Sequence, residues 1–179
     1  MFFTINVQCY AQAEIKGLFS LDLSYSITGL LNQGWGMGVS YERRIFDYLS
    51  LKGTFGHMTF LTGIEDMYCT SVSLSLFANY YPFGDGLDKL YISIGNGCDF
   101  INYFGKGELP ANAEDTLIYL TPGIGWKFNL LKFLMIDVST GYKFIVSDTE
   151  NYKEIKNYLD AGVQFSFRVK ILLNRLKKE

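Results

Sequence analysis

His57 and Thr59 are the first residues of this chain whose types and spacing could support catalysis. His57 is the only histidine, and Thr59 follows two positions later in Phe55-Gly56-His57-Met58-Thr59. On an extended strand both side chains point to the same face, because successive side chains alternate. A histidine can activate a hydroxyl nucleophile, but a third group must orient the histidine. The sequence offers no clear third member, so no catalytic residue is predicted.

Cysteines and glycines form two further candidate groups. Cys69 and Cys98 could form a disulfide in an oxidising compartment, although their expected strand positions do not face each other. No C-x-x-C motif is present, so a zinc site is not expected. Gly95-Asn96-Gly97 lacks the third glycine and the following helix of a dinucleotide-binding loop, so no cofactor is predicted.

The elements that must position these residues are indicated by strict alternation. Apolar and polar residues alternate from Phe19 to Thr28, and the same period returns over 71–80 and 159–168. A period of two is the signature of a strand with two different faces. We therefore predict eight strands, at 17–30, 36–46, 49–62, 69–82, 89–102, 116–128, 132–147 and 158–170.

The lengths of the strands and connections predict how the strands are arranged. Most of the predicted strands exceed the 5–6 residues usual in soluble proteins and match tilted membrane spans. Short connections alternate with mostly longer or more polar ones, as in outer-membrane barrels. No apolar run is long enough for a membrane helix. The expected fold is all-β: an antiparallel up-and-down transmembrane β-barrel of about eight strands.

If the apolar face looks outward, the other face forms a charged interior. Five acids and five bases then fall inside, which would let the charges compensate one another, as buried charges must. The same face carries many glycines, and a barrel of about eight strands holds little more than side chains. The predicted interior charge network consists of Asp22, Glu42, Arg44, Lys52, Asp99, Lys127, Asp137, Lys143, Asp160 and Arg168.

Alternation alone does not say which face is inside. A soluble ligand-binding barrel of lipocalin type would have the inverse arrangement. Three observations favour the membrane: the long strands, aromatic residues near both expected strand ends, such as Tyr81 near the short turns and Trp35 toward the loops, and an apolar start followed by Ala11-Gln12-Ala13, which resembles a signal-peptidase site. We expect a truncated signal peptide over 1–13, a barrel over 14–170 and a basic tail over 171–179. A net charge of −2 argues against a nucleic-acid partner.

The segment Asp160-Ala161-Gly162-Val163-Gln164-Phe165-Ser166-Phe167 looks like the last-strand signal that the barrel-assembly machinery reads, with Asp160, Gly162, Phe165 and Phe167 as its defining residues. With the strand pattern, it makes the chain resemble the small outer-membrane barrels of the OmpA, OmpX and OmpW type. That resemblance implies outer-membrane lipid and the assembly machinery as partners, in a diderm bacterium. Residues 168–179 follow the signal, where the family's chains normally end.

Three functions stay open at this point. The first is a non-enzymatic scaffold that displays the loops 103–115 and 148–157 or joins an envelope complex through its loops or tail. The second is a narrow conduit for small or apolar solutes, as in the OmpW type. The third is a lipid-modifying enzyme, because His57-x-Thr59 faintly resembles the His-x-Ser of PagL lipid A deacylases, with threonine in place of the nucleophilic serine.

Overall fold

The eight strands close into a single barrel. A computed structural model describes residues 17–28, 32–61, 67–83, 89–105, 114–147 and 162–173. Each strand pairs antiparallel with its sequence neighbour, and β1 closes the barrel against β8, so the predicted architecture is confirmed. The strands are β1 Gly17–Thr28, β2 Asn32–Phe46, β3 Leu49–Leu61, β4 Met67–Tyr80, β5 Leu90–Gly105, β6 Glu114–Leu131, β7 Leu134–Ile145 and β8 Gly162–Leu172.

Several strand boundaries differ from the prediction, and pairing explains the differences. β2 begins at Asn32 rather than at residue 36, because Asn32 to Trp35 complete the ladder with Tyr25 to Thr28. Backbone hydrogen bonds to a neighbouring strand override the loop preference of asparagine and glycine. β8 ends at Leu172, so Ile171 and Leu172 belong to the barrel and not to the predicted tail.

The two ends of the barrel differ in the length of their connections. At the end that we call the turn end, Asp47–Tyr48, residues 81–89 and Lys132–Phe133 join the strands. We call the opposite end of the barrel the loop end. The strands are connected there by residues 29–31, 62–66, 106–113 and 146–161. Two of the three turn-end connections have two residues each, but 81–89 has nine, whereas the loop-end connections have three, five, eight and sixteen residues. The predicted alternation of short and longer connections is therefore present only in part.

The outward face of the barrel is apolar along its height. Leu23, Leu74 and Phe165 are about half exposed, although a soluble protein would bury such side chains. Trp35 lies toward the loop end and Trp126 toward the turn end, and both are exposed. Among the described residues, no helix is long and apolar enough to cross a membrane.

Pro122 interrupts the hydrogen-bonded ladder between β6 and β7. Leu120 pairs with Phe144 and Gly123 pairs with Gly141, but the register skips the positions between them. Proline has no backbone N–H and cannot donate to a ladder. The register is the same on both sides, so the strands stay aligned across the gap.

Candidate functional site

The charged face of the strands lines the interior of the barrel. Glu42 on β2 and Lys127 on β6 form an ion pair of 2.6 Å. β2 and β6 lie on opposite sides of the closed barrel, so this pair can form only across the lumen. Lys52 on β3 and Asp137 on β7 likewise meet across it, at 3.6 Å. The interior is therefore the candidate functional site.

The tightest cluster surrounds the carboxylate of Glu42 near the turn end. Its Oε1 accepts hydrogen bonds from Ser50 at 2.6 Å, Asn79 at 2.8 Å and Tyr81 at 2.5 Å, and its Oε2 accepts one from Lys127. Burial and the neighbouring Glu42 carboxylate raise the pKa of the Tyr81 phenol, so Tyr81 stays protonated and donates. The carboxylate is thus satisfied without water, as a buried charge requires.

A second cluster gathers three positive side chains around Asp137. The Asp137 Oδ2 lies 3.6 Å from the Lys52 ammonium, 3.8 Å from the Arg168 guanidinium and 3.7 Å from the Lys170 ammonium. The other oxygen, Oδ1, accepts a hydrogen bond of 2.8 Å from Tyr91. Lys170 also lies 3.4 Å from the Asp22 carboxylate.

A third pair lies closer to the loop end. Lys143 donates a hydrogen bond of 2.6 Å to Asp99 Oδ2, and both residues are buried. The other Asp99 oxygen has no hydrogen-bond partner among the described residues. The Lys143 ammonium stands over the Tyr119 ring, 4.4 Å from its centroid, which adds a cation–π contact to the ion pair.

Some interior glycines make room for aromatic rings. A Cβ on Gly95 would meet the Phe77 ring, and those on Gly97 and Gly125 would meet tyrosine rings. In each case the ring belongs to the residue directly opposite on the neighbouring strand; the pairs are Phe77–Gly95, Tyr119–Gly97 and Tyr91–Gly125. A lysine ammonium lies over each of these rings: Lys52 over Phe77, Lys143 over Tyr119 and Lys127 over Tyr91. The glycines thus let rings lie flat beneath the buried lysines.

Four other interior glycines line the cavity of the barrel. Gly38 faces Gly56 on one wall, and Gly123 faces Gly141 on another. None of these positions projects a side chain, and all four line a cavity of about 170 Å³ in the middle of the barrel. The cavity is also lined by Asp22, Lys52, Asp99, Lys143, Arg168 and several serine and threonine hydroxyls.

An apolar cluster closes the interior at the turn end. Leu18, Tyr81, Tyr91, Met135 and Leu172 are all nearly or completely buried and pack together. The backbone N–H of Leu172 donates to Phe133 O at 2.8 Å, which holds the end of β8 against the β6–β7 turn. We call this cluster the apolar plug. It separates the charged clusters from the turn end of the barrel.

The predicted interior residues are distributed unevenly. Arg168 is half-buried beside the cavity. The buried members of the predicted set are Asp22, Glu42, Lys52, Asp99, Lys127, Asp137 and Lys143. Arg44 is only half-buried, next to the β2–β3 turn, and belongs to none of the three clusters described above. Asp160 lies outside the described residues.

The sequence interpretation missed two interior residues and misplaced a third. Lys170 and Asp115 are buried; both share the parity of inward neighbours on their strands, which is the signal that could have found them. Tyr81 is expected from its ring to lie at the membrane interface, but it is 1% exposed and points inward. Tyr81 lies two positions after the inward-facing Asn79, and side chains two positions apart on an extended chain point to the same face.

The predicted assembly signal lies at β8. Gly162 begins the strand with a φ of +118°, a conformation that favours glycine. Phe165 and Phe167 point outward and are about half exposed. Asp160 and the predicted leader over 1–13 lie outside the described residues, so recognition by the assembly machinery stays a prediction.

The residues first considered for chemistry are dispersed. His57 is exposed on the outward face in the loop-end half of β3, between Met37 and Val72 on the adjacent strands. Neither neighbour could orient its imidazole. No disulfide joins Cys69, which is buried, to Cys98, which lies on the outward face. No cluster of potential metal ligands occurs among the residues described.

Comparison with known proteins supports the fold. No protein-family model and no curated protein sequence matches the chain. The N-terminal β-barrel domain of OprF from Pseudomonas aeruginosa is similar in structure, with a TM-score of 0.54 and 11% identity over 87% of this chain and 96% of that domain. Neisserial surface protein A (NspA) matches with a TM-score of 0.47 and 13% identity, over 88% of this chain and 96% of that one.

The outer membrane enzyme PagL also matches, with a TM-score of 0.48 and 14% identity over 86% of this chain and 99% of that one. At these identities the likeness is one of fold. The chain has the fold of the small eight-stranded outer-membrane barrels.

Proposed function

We propose that this chain is an integral outer-membrane protein of a diderm bacterium, whose sealed barrel serves as a rigid scaffold. The observation that carries the proposal is the inverted polarity of the barrel: ion pairs cross the lumen while leucines and phenylalanines face outward. Contact with water would be unfavourable for that apolar outward surface, and monomeric soluble proteins rarely expose apolar patches beyond a few hundred Å². The acyl chains of a lipid bilayer would provide an apolar environment for this surface.

The filling of the lumen supports a scaffold rather than an open channel. The apolar plug closes the turn end with side chains that are at most 5% exposed. Above it, the Glu42 and Asp137 clusters span the lumen from wall to wall. Ions would have to break several buried ion pairs to pass, and breaking such a pair is costly.

The scaffold's working parts would be its loops. Binding residues are often carried on loops that a rigid framework positions. The longer connections, at residues 106–113 and 146–161, leave the barrel at the same end. We propose that these segments contact a partner in the envelope or on another cell, and that the barrel-assembly machinery inserts the chain through its last strand.

The cavity favours a second candidate function, a narrow conduit for small solutes. An internal space of about 170 Å³ could hold a solute in transit. A conduit would need the apolar plug to move or the solute to leave through the wall. A measurement of the current across a planar bilayer separates the conduit from the sealed scaffold.

The test uses the purified full chain, refolded in detergent and then reconstituted in planar bilayers. On denaturing gels, unboiled and boiled samples should migrate differently, because a folded membrane barrel resists the detergent. In the bilayer we expect no steady current. Identical migration together with solubility in the absence of detergent would refute membrane integration. Steady conductance from wild-type protein would refute the sealed scaffold and support the conduit.

A further inference from the structure

Basic side chains outnumber acidic ones at the floor of the central cavity. The Glu42–Lys127 pair below the cavity and the Asp99–Lys143 pair above it are each neutral. Between them, Lys52, Arg168 and Lys170 share the carboxylates of Asp22 and Asp137 within the described part of the chain. Three basic side chains therefore share two carboxylates in a region of low dielectric, where a charge without a partner is costly.

The positive groups at the cavity floor have donors to spare. All three approach the same oxygen, Asp137 Oδ2, and none comes closer than 3.6 Å. That oxygen has no hydrogen-bond partner in the described part of the chain. Ion-paired groups that form full hydrogen bonds lie about 2.7–2.9 Å apart. The Lys52 ammonium and the Arg168 guanidinium both line the cavity and can donate into it.

Hydroxyl groups extend this donor set up the cavity wall. Ser24 lies opposite Arg168 on one side, and one step toward the loop end Ser166 lies opposite Ser139. Ser24, Ser139, Ser166 and Arg168 all line the cavity. A guanidinium fork, an ammonium and several hydroxyls are the donors that proteins use for carboxylates and phosphates.

The available volume suits a small ligand. A water molecule takes up about 30 Å³ in the liquid, so a cavity of about 170 Å³ has space for a small oxyanion with some of its hydration water. The space exists because Gly38, Gly56, Gly123 and Gly141 contribute no side chains to it.

We propose that the central cavity is a binding site for a small oxyanion of the phosphate or carboxylate class, held by Lys52 and Arg168. The anion gives the three basic side chains a further acidic partner and takes up donors that Asp137 leaves unused. The site is separate from the scaffold role and would exist whether or not the loops bind a partner.

The test measures the thermal unfolding midpoint of the full chain in detergent micelles. The protein is refolded with increasing inorganic phosphate or, in a second arm, acetate, and chloride keeps the ionic strength constant. A ligand that binds only the native state raises the midpoint with concentration along a saturation curve. We expect such a curve in at least one arm, and the stronger arm identifies the anion class. General salting-out by phosphate also raises midpoints, without saturation.

Two variants separate the site from that general effect. Arg168→Gln removes a principal donor. Gly56→Leu fills the cavity and keeps every charge, and the Cβ at that position meets nothing closer than 3.4 Å. In Arg168→Gln the half-saturating concentration should rise by about ten-fold or more, the scale of a lost charge-assisted hydrogen bond. In Gly56→Leu the leucine side chain occupies the space of the anion, so the half-saturating concentration should rise at least as far. The matched control Arg43→Gln, on the exposed outward face, should leave the curve unchanged.

Three results would overturn the site. The first is a midpoint that never saturates in wild-type protein with either anion. The second is a saturation curve that Gly56→Leu leaves unchanged, which also decides the matter if Arg168→Gln does not fold. The third is an equal loss in Arg43→Gln, which would place the anion on the outer surface. None of these results bears on heat-modifiable migration or on bilayer conductance, so the scaffold proposal stands or falls separately.

Discussion

Removing the negative charge of Glu42 should destabilise the barrel more than any surface change. Glu42→Gln keeps the shape of the side chain but leaves the ammonium of Lys127, which is completely buried, without its anion. In the variant a neutral amide replaces the carboxylate beside Lys127, whose ammonium keeps the Tyr81 hydroxyl at 2.7 Å and two aromatic faces. Breaking a buried ion pair by removing one partner costs about 3–5 kcal/mol, and we expect a loss in that range.

A second substitution tests whether charge is the cause. Lys127→Met in the Glu42→Gln background removes the stranded ammonium, and replacing a buried pair by neutral side chains is often nearly neutral. The double variant should therefore regain about 2 kcal/mol relative to the single variant, within the usual range of coupling between contacting residues. Arg43→Gln, adjacent in sequence but outward, should change stability by less than about 1 kcal/mol.

The assay is equilibrium urea unfolding in lipid vesicles, followed by tryptophan fluorescence. Trp35 and Trp126 are both exposed on the outward face and lie toward opposite ends of the barrel, so transfer from lipid to water reports on the whole structure. A loss below about 1 kcal/mol for Glu42→Gln would contradict the burial argument. A double variant no more stable than the single one would show that the carboxylate's hydrogen bonds, not its charge, stabilise the cluster.

Two further predictions concern glycine and cysteine. Gly125→Ala places a methyl group against the Tyr91 ring and should cost about 1–3 kcal/mol, as overpacking does; the outward control Gly53→Ala meets nothing within 4 Å and should stay within about 0.5 kcal/mol in the same urea assay. In a Cys9→Ala background in vesicles, a charged maleimide should label neither Cys69 nor Cys98 until urea is added, because one is buried inside and the other faces lipid. Labelling of Cys98 in the folded protein would instead support a barrel whose outer face meets water.

Alternation along the chain was enough to predict much of this molecule. Strand parity follows directly from the geometry of an extended chain, so Asp22, Glu42 and Lys127 could be assigned to one face without coordinates. The alternation of short and longer connections predicted an up-and-down order of the strands. Apart from β8, whose predicted first residues lie outside the described part of the chain, the strand ends could be placed to within three residues, except at the start of β2, where pairing extended the strand by four residues into a segment that looks like a loop.

Parity does not reveal which inward residues meet one another. Glu42 and Lys127 are 85 positions apart in sequence, and only closure of the barrel brings β2 opposite β6. Tyr81 illustrates the difference: its ring suggests the membrane interface, whereas its position on the inward face of the chain and its hydrogen bond to the Glu42 carboxylate place it inside. The two roles of glycine also depend on closure, because a glycine leaves a cavity or accepts a ring according to the residue opposite it. Local chain geometry sets each side chain's face, but charge balance and packing inside a closed cylinder depend on neighbours that only the tertiary structure supplies.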